Sequence, residues 1–261
     1  LVEQRLSTGD AGAIEAVFRP CALIPTYDNP KTVRAVVMAV REHLPGVVVV
    51  DDGSGPEGRA EVAALAAEGL AVAVHRAHNG GKGAAVKTGF AEAHARGFTH
   101  ALQVDADGQH ELSDIPRLLA AAKAAPSALI LGAPIYDESA PKSRLIGRQI
   151  TRFWTNIETW GRVIEDPMCG FRVYPLAAAL AAGRTGDRMD FDVEIAVKIA
   201  WTGAPVVNLP TRVRYPEGGV SHFDLLWDNV RISWMHSRLA VQAMLWRPWV
   251  VLGRKVRAWL R

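Results

Sequence analysis

Four consecutive valines, Val47 to Val50, stand between Pro45-Gly46 and an acidic turn, and they set the pattern for the first half of the chain. Short, uninterrupted apolar runs bounded by turn residues predict strands buried on both faces, as in a parallel sheet. Such runs fall at 21–24, 47–50, 70–74, 99–104 and 128–131. Between them, amphipathic spacing predicts helices over 30–43, 56–68, 82–96 and 114–125. Asn29 and Pro30 supply a start signal for the first of these, and Gly97 a stop for the third. Strands alternating with helices at this spacing predict βαβ units and an α/β fold with a mainly parallel sheet flanked by helices. Beyond residue 140 the pattern loosens to a long helix over 143–162 across the sheet edge, short helices over 175–182 and 190–201, and strands at 206–209 and 211–215. Residues 1–19 predict only a short helix or arm. With no repeat or linker before residue 225, the expected organisation is one domain over 1–224 and a C-terminal segment over 225–261.

The chemistry lies where the strands end. Residues 101–111 pass from an apolar run directly into Asp105, Asp107 and Gln109. In extended geometry alternate residues share a face, so these three are expected to form a hard oxygen cage. Such a cage suits Mg²⁺ or Mn²⁺, which complete their shells with water and substrate phosphates. The competing reading is a solvated turn, since Asp and Gly favour turns. An EF-hand is excluded, because His110 stands where its loop needs Gly and Pro116 where it needs Glu.

Two glycine motifs mislead. Gly53-Ser-Gly55-Pro-Glu-Gly58 matches a dinucleotide fingerprint, yet Asp51 and Asp52 precede it and the following strand ends in His75-Arg-Ala-His-Asn without a ribose-binding acid. Gly80-Gly-Lys82-Gly83 is not a P-loop, because Arg76 replaces its first Gly and Gly83 its Ser/Thr. The crevice at the carboxyl ends of parallel strands accommodates all of these pieces together. Pro25 and Tyr27 line the first end, and Asp51 or Asp52 accepts hydrogen bonds from a base or ribose. Lys82, among glycines at a helix start, takes a phosphate. With Asp105 and Asp107 on the metal, the set describes a nucleotide-diphosphate sugar site.

From about residue 22 to 223 the sequence resembles the family 2 glycosyltransferases of GT-A fold, most closely the dolichol-phosphate mannose synthase-like branch. The resemblance rests on Val-Val-Asp51-Asp52-Gly-Ser, Asn79-x-Gly-Lys82-Gly-Ala-Ala-x-x-x-Gly89 and Asp105-Ala-Asp107-Gly-Gln109-His110, in order and spacing, and on Cys169-Gly-Phe-Arg172 after Asp166. It implies base and ribose contacts at the first motif, metal at Asp105, Asp107 and Gln109, and Arg172 near the diphosphate or acceptor phosphate. The chain departs from the branch at Pro216-Glu-Gly-Gly219-Val-Ser221-His222, where Arg-x-x-Gly-x-Ser-Lys is usual. The implied activity is metal-dependent, inverting transfer of a sugar from a UDP- or GDP-sugar to a membrane lipid such as polyprenyl phosphate. An anionic acceptor needs cations, and Arg172, Arg212, Arg214 and His222 are available. A hydroxyl acceptor needs a base, and Asp166, Asp190, Asp192 or Glu194 is available, Asp192 being the leading choice. The alternatives are a nucleotidyltransferase and a non-catalytic nucleotide- or lipid-binding module.

Composition adds one asymmetry. The 261 residues are 49% hydrophobic and 22% charged, with a net charge of +3, as in an ordinary globular protein. Cys21 and Cys169 lie far apart, which predicts a reducing compartment and no disulfide framework. No signal peptide is visible in the sequence, which opens with Leu1 and not with Met. Residues 225–261, however, hold seven basic side chains against Asp228 alone, and five of the eight tryptophans. Trp227, Val230, Trp234, Val241 and Leu245 recur at helical spacing with Arg231 and Arg238 between them, which predicts an amphipathic helix in an anionic membrane surface. A helix covering the core is the other reading of that stripe. The apolar run at 239–252 is broken by Arg247-Pro248 and too short to span a bilayer. Basic residues alternating with bulky apolar ones argue against nucleic acid. The expected location is therefore cytoplasmic, peripheral on the inner face of the cell membrane.

Overall fold

A seven-stranded mixed sheet in the order β3-β2-β1-β4-β6-β5-β7 organises the described part of the molecule. The structure, a computed structural model, describes residues 18–136, 142–161, 163–213 and 226–259, without the side chains of 142–144 and 246–259. The strands are β1 (Pro20–Thr26), β2 (Val47–Asp51), β3 (Val72–His75), β4 (His100–Gln103), β5 (Leu129–Ile135), β6 (Arg172–Pro175) and β7 (Val206–Arg212). All pairings are parallel except those of β6, which runs antiparallel between β4 and β5.

The helices are α1 (Val33–Arg41), α2 (Pro56–Ala67), α3 (Lys82–Ala95), α4 (Ile115–Ala124), α5 (Lys142–Thr159), α6 (Leu176–Ala181), α7 (Phe191–Thr202) and α8 (Trp227–Trp259). Strand alternation sorts the core into two layers. Val47 and Val49 pack with α1, α2 and α4 on one face, and Val48 and Val50 with α3, α6 and α7 on the other. All four valines of β2 are nearly inaccessible, each burial contributing about 1.5–3 kcal/mol. Ile232, Met235 and Leu239 of α8 join the second layer, so this helix covers the core with one of its faces.

The structure departs from the sequence pattern in instructive places. β6 has no separate apolar run, because its four residues open with a buried arginine. β7 is one strand through Pro210, where two were expected; it lies at the sheet edge, where a missing N–H costs least. α1 begins at Val33, after a turn in which the Asn29 carbonyl accepts from the amides of Thr32 and Val33. The expected arm at 1–19 lies almost wholly outside the described residues.

Candidate active site

The register brings the ends of the parallel strands level, with Thr26 beside Asp51 and Asp51 beside His75. The residues just beyond form the crevice in which an open α/β sheet binds its ligand. Pro25 is buried in β1 opposite Val50, and Tyr27 sits half-buried at the strand end.

Asp51 and Asp52, expected to face base and ribose, are turned into the protein. Asp51 is fully buried; its Oδ1 accepts from the Ser54 amide at 2.9 Å and its Oδ2 lies 2.9 Å from His75 Nδ1. Burial alone would raise its pKa, but the bonds from Ser54 and His75 outweigh burial and lower it. Asp52 accepts from the amides of Gly80 at 3.1 Å and Gly81 at 2.7 Å, and pairs with Arg76. Its carboxylate therefore shapes the glycine loop ahead of α3. Gly81 adopts φ +99°, and a Cβ there would meet the Asp187 carbonyl at 2.6 Å, so glycine is required.

The loop delivers Lys82 to the acids. Its Nζ lies 2.8 and 2.9 Å from the two oxygens of Asp105 and 2.8 Å from Asp192 Oδ2. Burial would lower the ammonium pKa, but Asp105 and Asp192 outweigh that and hold it well above the ordinary lysine range. The same contact offsets burial at Asp105 and, with His110 adding to it, holds that carboxyl far below its usual range. From Asp192 a buried polar chain continues, with Gln103 Nε2 donating to Asp192 Oδ1 at 3.3 Å and Tyr174 Oη donating to Gln103 Oε1 at 3.2 Å. Lys82 thus ties together the starts of α3 and α7 and the end of β4.

The acidic stretch itself is a turn, which corrects the expected strand-like alternation. β4 ends at Gln103, Gly108 takes φ +73°, and Asp107 Oδ1 accepts from the Gln109 amide at 3.0 Å. Asp–Gly turn chemistry prevails over strand propagation, so alternation does not place Asp105, Asp107 and Gln109 on one face. Burial, with the charge of Asp105, raises the pKa of Asp107. His110, to which the sequence assigned no role, stacks on Phe171 at 5.1 Å with Nε2 3.6 Å from Asp105 Oδ2. Its position straight after the acidic stretch was the available signal.

Arg172 also departs from expectation. It is wholly buried, and its guanidinium donates to the carbonyls of Cys169, Pro167 and, at 2.7 Å, Asp192. Cys169-Gly-Phe-Arg172 is therefore a brace: it holds the main chain of Asp192 and does not present a cation to the crevice. Gly170 completes the brace, because a Cβ on it would lie 2.3 Å from Asp105 Oδ2. Among the other acids, Asp166 accepts from Tyr136 Oη at 2.8 Å, Arg148 at 2.7 Å and the Met168 amide at 2.9 Å. Glu194, fully buried, pairs with Lys198 at 2.8 Å and Arg238 at 2.9 Å. Asp190 accepts from the Arg188 amide at 3.2 Å. Arg212 ends β7, while Arg214, Pro216, Ser221 and His222 lie outside the described residues.

Among the described residues no group of three or more His, Cys, Asp or Glu is arranged to hold a metal. Asp105 and Asp107 still fit a hard divalent ion. They are two half-buried carboxylates with an ammonium already seated against one of them, and substrate phosphates commonly complete such a shell.

The sequence model of Glycosyl transferase family 2 matches residues 21–178, and the chain belongs to that family. Within it the chain is similar to the polyprenol monophosphomannose synthase of Mycolicibacterium smegmatis, 28% identical over 81% of this chain and 83% of the relative. It is likewise similar to the undecaprenyl-phosphate mannosyltransferase of Micrococcus luteus, 28% identical over 74% and 82%. These relatives place it beside the dolichol-phosphate mannose synthase-like members, and it is a glycosyltransferase. Its GT-A fold is shared with glucosyl-3-phosphoglycerate synthase of Mycobacterium tuberculosis. The structure of that protein with UDP superposes at a TM-score of 0.63 and 13% identity, over 93% of this chain and 86% of the other. A second structure of it, with Mn²⁺ and UDP-glucose, gives 0.62 at 12% identity over 87% and 79%.

Proposed function

We propose that this glycosyltransferase moves a sugar from a UDP- or GDP-sugar to a polyprenyl phosphate in a membrane, with inversion at the anomeric carbon and with Mg²⁺ or Mn²⁺ at Asp105 and Asp107. The observation that carries this reading is the ammonium of Lys82 seated between the half-buried carboxylate of Asp105 and the buried one of Asp192, beside a glycine loop. That arrangement is a cation-accepting position next to a phosphate-accepting one. The bound ion would neutralise charge on the departing diphosphate. Lys82 balances Asp105 and Asp192 in the protein alone and is the nearest cation for the donor phosphates. Arg172 acts through Asp192 as a positioning residue. In the transfer, an acceptor phosphate oxygen forms the new bond to the anomeric carbon. The bond to the diphosphate breaks and its electron pair leaves with the nucleotide diphosphate.

The two mannosyltransferase relatives support a polyprenyl phosphate acceptor, as does the engagement of Asp166, Asp190 and Glu194 with internal partners. Of the acids named for a hydroxyl acceptor, Asp192 alone touches Lys82, so it is the residue to test. A panel of UDP- and GDP-sugars incubated with polyprenyl phosphate vesicles and Mn²⁺ should give one glycosyl-phosphate lipid, read by mass spectrometry. Asp192→Asn should retain substantial turnover. A thousandfold collapse in that variant, with donor binding intact, would instead mark a general base and a hydroxyl acceptor, a loss of about 4 kcal/mol in transition-state stabilisation.

A further inference from the structure

Glu194 is a fully buried carboxylate that the transfer itself does not use. It stands in the first turn of α7, close behind Asp192, and its Oε2 serves two separate parts of the molecule. The amide of Gly186 donates to it at 2.9 Å, and Arg238 Nη2 of α8 donates to it at 2.9 Å. Lys198, one turn along α7, pairs with Oε1 at 2.8 Å. Burial would raise the pKa of this carboxyl, but the bonds from Lys198, Arg238 and Gly186 outweigh burial and lower it.

Gly186 belongs to the loop over 183–190 that leads into α7, and this loop lies directly on the glycine loop ahead of α3. The Asp187 carbonyl accepts from the Ala84 amide at 2.9 Å. Lys87 Nζ donates to the carbonyls of Thr185 at 3.1 Å and Gly186 at 3.0 Å, and to Asp187 Oδ1 at 2.6 Å. A Cβ on Gly83 would meet the Gly186 carbonyl at 2.8 Å, and one on Gly81 the Asp187 carbonyl at 2.6 Å. With no slack between the two loops, a shift of one moves the other. Asp52 takes the amides of Gly80 and Gly81, and Asp187 takes that of Ala84. Among the described residues this leaves the amides of Lys82 and Gly83 without a partner, at a helix start that suits a phosphate oxygen.

Helix α8 is tied down on its inner side at two points. His236 Nδ1 lies 2.7 Å from Glu158 Oε1 in a buried seam with α5, and Arg238 reaches Glu194 on α7. On the outer side of the seam the two helices expose Ile150, Phe153 and Trp234. Lys198 travels with α7, whereas Arg238 comes from another element and holds the shared oxygen toward Gly186.

We propose that Glu194 is a positioning residue for the diphosphate of the sugar donor: it holds the 183–190 loop against the glycine loop, and Arg238 makes α8 part of that support. This rests on the donor reading for its ligand; the linkage between the elements stands without it. In the full-length protein, Arg238→Met keeps the aliphatic stem and leaves Glu194 paired with Lys198. Without nucleotide, amide hydrogen exchange in this variant should quicken by about tenfold at 183–190 and 80–84, with wild-type exchange in β1 and β2. In titrations with Mn²⁺, affinity for UDP or GDP, whichever the wild type binds, should fall by about tenfold. Affinity for the matching nucleoside, uridine or guanosine, should stay at the wild-type value, because the base and ribose lie away from the loop. Arg238→Lys, which keeps a cation, should recover most of both losses. Ser237→Ala, whose hydroxyl donates to the Ser233 carbonyl of α8 itself, should match the wild type. Wild-type exchange at 183–190 in Arg238→Met would overturn the proposal. An equal loss of nucleoside and diphosphate affinity, the mark of general loosening, would overturn it too. Faster exchange at both loops in a protein that binds neither diphosphate would uphold the linkage and remove the donor reading.

Discussion

The strand-end crevice and the α5–α8 face treat charge in opposite ways. In the crevice the acids contributed by β2 and the acidic turn find internal partners: Asp51 has His75, Asp52 has Arg76 and two glycine amides, Asp105 has Lys82, and Asp107 has the Gln109 amide of its own turn. On the α5–α8 face the acids are withdrawn to the interior while apolar side chains stand in water. The first region is pre-organised, and a ligand enters it by exchanging partners that already exist. The second is unsatisfied, and a partner gains by covering it. A polar site of this kind costs stability when one member is removed, whereas the face can lose exposed side chains with little effect on folding.

The largest way to break that contrast is Lys82→Met. It leaves half-buried Asp105 and buried Asp192 as neighbouring like charges without their counter-ion, and urea denaturation should show a loss of about 3 kcal/mol. Added Mn²⁺ should stabilise this variant more than the wild type, because the competing ammonium is gone. Unchanged stability would mean that Lys82 is not the counter-ion in solution. Next in size is Gly170→Ala, whose Cβ would lie 2.3 Å from Asp105 Oδ2 and must displace it. Misplacement of a site carboxylate by about 1 Å should lower kcat by about a hundredfold. Near wild-type kcat in a folded variant would show that Asp105 has room to move.

The smallest effect sits at the seam beneath the face. Burial, with the charge of Glu194 adding to it, raises the pKa of Glu158 against the pull of His236. A folded pKa above the unfolded one means that the native state holds the proton more tightly. Its contribution is therefore complete below the unfolded value of about 4.3 and is lost as pH rises through the folded value. Across that window the urea midpoint of the wild type should fall relative to that of Glu158→Gln. Parallel pH profiles would remove Glu158 as the source.

The same contrast explains what was legible in the sequence. Four valines between turn signals specify a doubly buried strand locally, and β2 lies where they predict it. The acidic turn and the glycine loop are likewise local features, and their residues do meet at the strand ends. What the pattern does not carry is the distant partner. Lys82 and Asp192 are 110 positions apart, and Arg172 finds the Asp192 carbonyl only once β6 has been inserted antiparallel between β4 and β5. The resemblance of Cys169-Gly-Phe-Arg172 to the family motif therefore suggested a phosphate cation, although the donors of Arg172 are consumed by carbonyls. The face was half legible: periodicity identified the stripe on α8. Which side of α5 meets the core is decided by Thr151, Thr155 and Glu158, small or polar residues that hydropathy does not select.

Central to the proposed function is a crevice that binds the sugar donor together with a divalent ion. Isothermal titration of UDP- and GDP-sugars into the wild type and Asp107→Ala, each with Mn²⁺ and with EDTA, tests this most directly. The expected result is binding of one sugar nucleotide by the wild type with Mn²⁺, weakened at least a hundredfold, about 2.7 kcal/mol, both by EDTA and by the substitution. Equal affinity in all four titrations would contradict it.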